Sequence, residues 1–198
     1  MKNSPARGDD SPGRFGASAT AEVAPRSVGR VDIAYNPAVD GDADPGEIVW
    51  TWVPYEENDG RGKDRPVLVV AREAGGTLLG LQLTSKPHDG TWDVGIGSGA
   101  WDSAGRPSWV RLERVFRLHQ GGVRREAVAL DRAAFGRVSA ELVKRYGWAT
   151  GAPAGGAARS GAAAATGGAA RSGAAAATGA AVGASVLRLV RTLFGRRR

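Results

Sequence analysis

The stretch GKDRPVLVV, residues 62–70, runs three charged side chains, Lys63, Asp64 and Arg65, into a proline and an unbroken apolar segment. An arginine that opens a buried strand has its guanidinium held rigidly at the rim of a core. Such a group has two uses. It pairs with a carboxylate at the strand end, Asp64 or Glu47, or it meets an anion whose two oxygens fit its planar fork. A second constellation stands in WVRLERVFRL, 109–118, where Arg111 and Glu113 are two residues apart and on a strand share a face. They form either a salt bridge on an exposed strand or a couple that passes a proton.

Composition narrows the other chemistries. There is no cysteine, which excludes disulfides and thiolate metal sites and makes a reducing cytoplasm the expected location. His88 and His119 are the only histidines, so a zinc site would need carboxylates for its remaining ligands; no metal or cofactor is expected. DGDADPGE, 40–47, alternates Asp40, Asp42 and Asp44 like a calcium loop. The loop's required glycine and glutamate are replaced by Pro45 and Thr51, and the segment reads as an acidic linker. No apolar run reaches the roughly 18 residues of a spanning helix. The opening MKNSPARGDDSPGRFG has no apolar middle of the secretory kind.

The net charge of +7 is unevenly placed: −2 over residues 1–46, +2 over 47–148 and +7 over 149–198. A surface for anions in the middle segment must therefore come from local clustering.

Four segments follow from composition and periodicity. Residues 1–45 are rich in Ser, Pro, Gly, Ala and charge and read as a disordered, acidic arm, with VDIAYNP (31–37) as a short ordered piece. All six tryptophans lie within residues 46–148, the expected folded domain. EIVWTWVP (47–54), RPVLVVAR (65–72), TLLGLQLTS (77–85), TWDVGIG (91–97), WVRLERVFRL (109–118) and REAVAL (125–130) read as strands. The second is apolar enough for burial on both faces, and Pro66 fits a strand beginning. DRAAFGRVSAELVKRYGW (131–148) is a helix, with Asp131 as N-cap and Phe135, Val138, Leu142 and Tyr146 on one face. About 100 residues suffice for an independent core: a small, mainly β barrel with a C-terminal helix packed on it. Residues 149–183 contain GGAARSGAAAAT twice in tandem, at 155–166 and 167–178, and read as a flexible linker. Residues 184–198 form a basic amphipathic helix, VLRLVRTLFGRRR, suited equally to an anionic membrane, a protein partner, nucleic acid or its own domain.

The order of the strands carries a resemblance. GEIVWTWVPYEENDGRGKDRPVLVV (46–70) resembles the opening of the PemK/MazF family of toxin endoribonucleases. LLGLQLTS (78–85) is similar to that family's next strand, and WVRLERVFRL to its later strand pair. The resemblance implies an SH3-like barrel, usually a homodimer, that cuts single-stranded RNA without a metal and is restrained by an antitoxin, with which such toxins bind DNA. In the family the RNA 2′-hydroxyl attacks its own 3′-phosphate, leaving a 2′,3′-cyclic phosphate and a 5′-hydroxyl. That step needs a base, a charge stabiliser and an acid. The implied catalytic set is Arg65 as phosphate stabiliser and acid, Thr84 as hydrogen-bond donor to phosphate, and Arg111 with Glu113 as base and acid.

For RNA binding, Arg61, Lys63, Lys86 and His88 flank this set in two loops, and Trp52, with Tyr55 or Trp92 as alternatives, is placed to stack a base. The loop EENDGRGKD departs from the family's usual Gly-Ser-Glu-Gln, and both tails lack a counterpart in the compact toxin. A different class stays open on the same barrel: a non-catalytic, CcdB-like module that binds protein or nucleic acid.

Overall fold

The computed structural model describes residues 11–151 except 39 and 89. Two short strands open it, β1 (Ala21–Val23) and β2 (Asp32–Ile33). β3 (Glu47–Pro54), β4 (Gly62–Arg72), β5 (Leu78–Thr84), β6 (Asp93–Gly97), β7 (Ser108–Leu118) and β8 (Arg124–Ala129) follow. Helix α1 (Arg132–Tyr146) and β9 (Ala149–Thr150) complete the described chain. One antiparallel sheet runs β1-β7-β5-β4-β3-β8, with β6 also on β7, while β2 and β9 form a small parallel pair. The molecule is mainly β with one helix near the end of the domain, as expected.

β4 is buried on both faces. Leu68 and Val70 enter a cluster with Phe135, Val138 and Leu142 of α1, whereas Val67 and Val69 join Val49, Val53 and Phe116 on the opposite face. The helix thus occupies one side of the sheet. Asp131 caps it by accepting from the backbone of Ala133 and Ala134, at 2.9 and 3.1 Å, and Gly147 ends it at φ 70°, a left-handed conformation suited to glycine.

β4 begins at Gly62, three residues before the expected Arg65, so Lys63 and Asp64 belong to the strand. Pro66 lies opposite Trp50, and pairing to β5 starts one residue later at Val67. Its missing donor therefore falls at the margin of the ladder, where the loss is tolerated.

The N-terminal arm differs most from its composition. Residues 11–38 were expected to be disordered apart from a short piece, yet β1 pairs with β7 and β2 with β9. Val31 and Ile33 are buried in the main core, and Thr51 Oγ holds the carbonyl of Gly122 and lies 2.7 Å from Thr20 Oγ. Gly13, at φ 79°, passes so close to Thr51 that an added Cβ would stand 2.2 Å from its hydroxyl. The acidic linker is likewise anchored: Asp44 meets Arg72 at 2.9 Å and Glu47 meets Arg125 at 2.7 Å. Backbone pairing supplies this order with few apolar side chains. At the other end, Ala149 and Thr150 belong to β9; the tandem repeat and the segment 184–198, expected to be a basic helix, lie outside the described residues.

Candidate functional site

On a strand, alternate residues share a face, and antiparallel partners face the same way. Val67 is paired with Gln82, so Arg65, Val67, Gln82 and Thr84 project from the face opposite the helix. β7 supplies the rest. Leu81 pairs with Val115 and Leu83 with Val110, which leaves Arg111, Leu112, Glu113 and Arg114 opposite the single residue Gln82. This irregularity re-aims β7, as bulges do beside functional sites, and Arg111 and Glu113 meet there.

Two adjoining cavities share Arg65. The first, about 520 Å³, is lined by Trp50, Lys63, Asp64, Arg65, Thr84, Ser85, Arg106 and Arg124 among others. The second, about 470 Å³, is lined by Tyr55, Glu56, Arg61, Arg65, Gln82, Arg111 and Arg114, with Pro54 and Glu57. The four expected catalytic residues thus split: Arg65 and Thr84 border the first cavity, Arg65 and Arg111 the second, and Glu113 lies beside it.

Arg65 is half-buried, and among the described residues its side chain has no hydrogen bond and no ion pair. The carboxylates that would make it an ordinary strand-end ion pair are taken: Asp64 by Arg124 at 3.0 Å, Glu47 by Arg125. Thr84 spends its hydroxyl locally, donating to the Lys86 carbonyl at 3.0 Å and accepting from the Lys86 N–H at 3.1 Å. Arg111 is 9% exposed and hydrogen-bonded to Glu113 Oε1, with Glu56 at 3.7 Å. Its Nε faces Asp93 Oδ1 at 4.0 Å, and neither atom has a hydrogen-bond partner among the described residues. The Arg111–Glu113 couple that shared spacing suggests is therefore formed, and it carries slack toward Asp93.

The expected RNA-binding residues are scattered. Arg61 lines the second cavity but is tied at 2.7 Å to Asp59, whose carboxyl is held below the usual range by the Arg61 backbone N–H and then its guanidinium. Lys63 lines the first cavity. Lys86 takes part through its backbone, in the Thr84 turn. His88 sits 3.9 Å from Asp93, one ion pair removed from Arg111. Trp52 is covered by the Arg14 guanidinium, 4.5 Å from its ring, and its other neighbour is Gly62. Trp50, two residues back, borders the first cavity with Trp101 and has the Arg124 guanidinium 5.5 Å from its ring.

Gln82 was missed by reasoning from sequence. It is 5% exposed, lines the second cavity, and its Oε1 has no hydrogen-bond partner among the described residues. A buried amide acceptor left unpaired costs about 1–3 kcal/mol. The signal was available: Gln82 is the one side chain with hydrogen-bonding groups inside LLGLQL. Among the described residues no group of three or more His, Asp or Glu residues is arranged to hold a metal, and no helix is long and apolar enough to cross a membrane.

No curated protein matches the chain. A family model does, over residues 44–145, the span that contains β3 to β8 and nearly all of α1. That model describes the PemK-like, MazF-like toxin of type II toxin-antitoxin systems, and the chain, more than half of which it covers, belongs to this family.

Proposed function

We propose that the protein is an endoribonuclease toxin that cleaves single-stranded RNA by attack of a 2′-hydroxyl on the adjacent phosphate. The observation that carries this reading is Arg65: a half-buried guanidinium between two cavities, without a carboxylate among the described residues. An unneutralised guanidinium in a concave site favours an anion with paired oxygens.

The roles follow from the chemistry of the groups. Arg65 and Arg111 hold the phosphate and stabilise the added negative charge as the 2′-oxygen bonds to phosphorus. Glu113, whose Oε1 engages Arg111, takes the 2′-hydroxyl proton. The bond from phosphorus to the 5′-oxygen breaks, and an arginine of the cleft delivers the proton that makes this oxygen a hydroxyl. Thr84 joins the phosphate contacts once its hydroxyl leaves the Lys86 turn. Every step uses protein groups, so cleavage proceeds in EDTA. An antitoxin and a second copy of the chain are the partners that family membership suggests.

The test is incubation of the full chain with a long unstructured RNA in EDTA, followed by analysis of the product ends. The expected products carry 2′,3′-cyclic phosphates and 5′-hydroxyls. Intact RNA, or 5′-phosphate ends, rejects the mechanism; intact RNA with a folded protein directs attention to a non-catalytic binding role for the same cleft.

A further inference from the structure

Gln82 stands at the centre of the constellation just described. Its strand neighbour two residues on is Thr84, its partner across the ladder is Val67, two residues from Arg65, and the displaced segment Arg111–Arg114 lies opposite. Of the arginines that line the cavity with it, Arg111 is engaged with Glu113, Arg114 with Glu22 at 2.6 Å and Arg61 with Asp59 at 2.7 Å. Among the residues that line this second cavity, the Gln82 amide oxygen is the one uncharged side-chain atom that is buried and has no described hydrogen-bond partner.

An acceptor in such a place repels phosphate and asks its ligand for a donor. In RNA the donor nearest a bound phosphate is the ribose 2′-hydroxyl, the group that distinguishes RNA from DNA. We propose that Gln82 contacts the substrate directly. Its carboxamide oxygen accepts a hydrogen bond from the 2′-hydroxyl of the nucleotide whose phosphate meets Arg65, and this contact selects ribose over deoxyribose. The inference rests on the ribonuclease reading. It adds to that reading a residue that holds the 2′-hydroxyl in the bound complex, before that hydroxyl turns its single hydrogen to Glu113.

The experiment compares the binding of RNA and DNA oligonucleotides of one unstructured sequence, in EDTA, to full chains that all carry Glu113→Gln, which removes the proposed base, keeps Arg65 for the phosphate and slows cutting below the time of the binding measurement. With Gln82 present, RNA binds about 5- to 10-fold more tightly than DNA, the worth of one good hydrogen bond. Gln82→Met abolishes the preference and leaves DNA affinity unchanged; Gln82→Glu, which keeps an acceptor, retains the preference while weakening both. Because Gln82→Met removes an unpaired buried amide, its Tm stays level or rises. A Met variant that still prefers RNA overturns the inference, as does a sharp fall in its Tm, which would make Gln82 a structural residue. The absence of any RNA preference in the Gln82 protein overturns it too. Whether the wild-type chain cuts RNA is read separately, so the ribonuclease reading stands or falls on its own result.

Discussion

Arg72, Arg114, Arg117 and Arg125 each reach a carboxylate on another element: Asp44, Glu22, Glu73 and Glu47, at 2.6–2.9 Å. Arg65, on the same sheet and half-buried, reaches none among the described residues. The first group shows what this fold does with an arginine that belongs to the scaffold. It closes the ion pair, usually with more than one hydrogen bond, and fastens a distant segment. Against that habit, Arg65 and the amide oxygen of Gln82, both without a partner among the described residues, mark two places where polar groups of the cleft are left to something outside the chain. Unsatisfied buried groups lower stability, and proteins retain them chiefly where function requires them.

Substitutions separate the two classes. The largest effect is expected at Arg65. Arg65→Ala lowers the rate of RNA cleavage by about 10³-fold, as loss of a transition-state donor does, with Tm nearly unchanged because no described partner is orphaned. Arg125→Ala should do the reverse. It leaves Glu47, 3% exposed, without its guanidinium, and costs about 3 kcal/mol in denaturant unfolding, while the activity of the folded fraction stays near wild type.

Glu113→Gln sharpens the comparison inside the cleft. It keeps the shape, removes the base, and lowers kcat by about 100-fold. A kcat unchanged by this substitution moves the base elsewhere.

The smallest effect concerns Glu73. Hydrogen bonds from Arg117, and secondarily from Thr77, hold its carboxyl below the usual carboxylate range. Its folded value therefore lies below its unfolded one. The contribution is complete above the unfolded carboxylate range and is lost as pH falls through the folded value. Glu73→Gln costs about 1 kcal/mol at neutral pH, and the difference from wild type shrinks in acid, without change in cleavage. A pH-independent difference refutes the assignment.

How much of this was legible in the sequence depended on range. The helix with its Asp131 cap, and the two-sided burial of β4, were legible because short-range periodicity and capping chemistry encode them. The resemblance pointed to Arg65, Thr84, Arg111 and Glu113; in the structure Arg65 and Thr84 border one cavity, Arg65 and Arg111 the adjoining one, and Glu113 lies beside them on Arg111. What failed was long-range. Arg117 finds Glu73 across 44 residues and Arg125 finds Glu47 across 78, and no local pattern announces such pairs. For the same reason β1 was hidden, and β2, inside the expected ordered piece 31–37, had no visible partner: the strands they pair with are about a hundred residues away. Trp50 and Trp52 share a strand face by alternation and each lies under a guanidinium, Arg124 and Arg14 in turn; that Trp50 borders the cavity is a matter of tertiary position. Gln82 was visible as a polar intruder in an apolar strand, but its significance needed the register of β5 against β7.

The most direct measurement follows the arginine side chains themselves. In protein labelled with ¹⁵N-arginine, the Nε–H resonances are recorded while a short, fully 2′-O-methylated RNA, which cannot be cut, is added. The account predicts that the Arg65 and Arg111 signals move with RNA while those of Arg72, Arg117 and Arg125 stay in place. An Arg65 signal that remains fixed while RNA binds and shifts the scaffold arginines would contradict it.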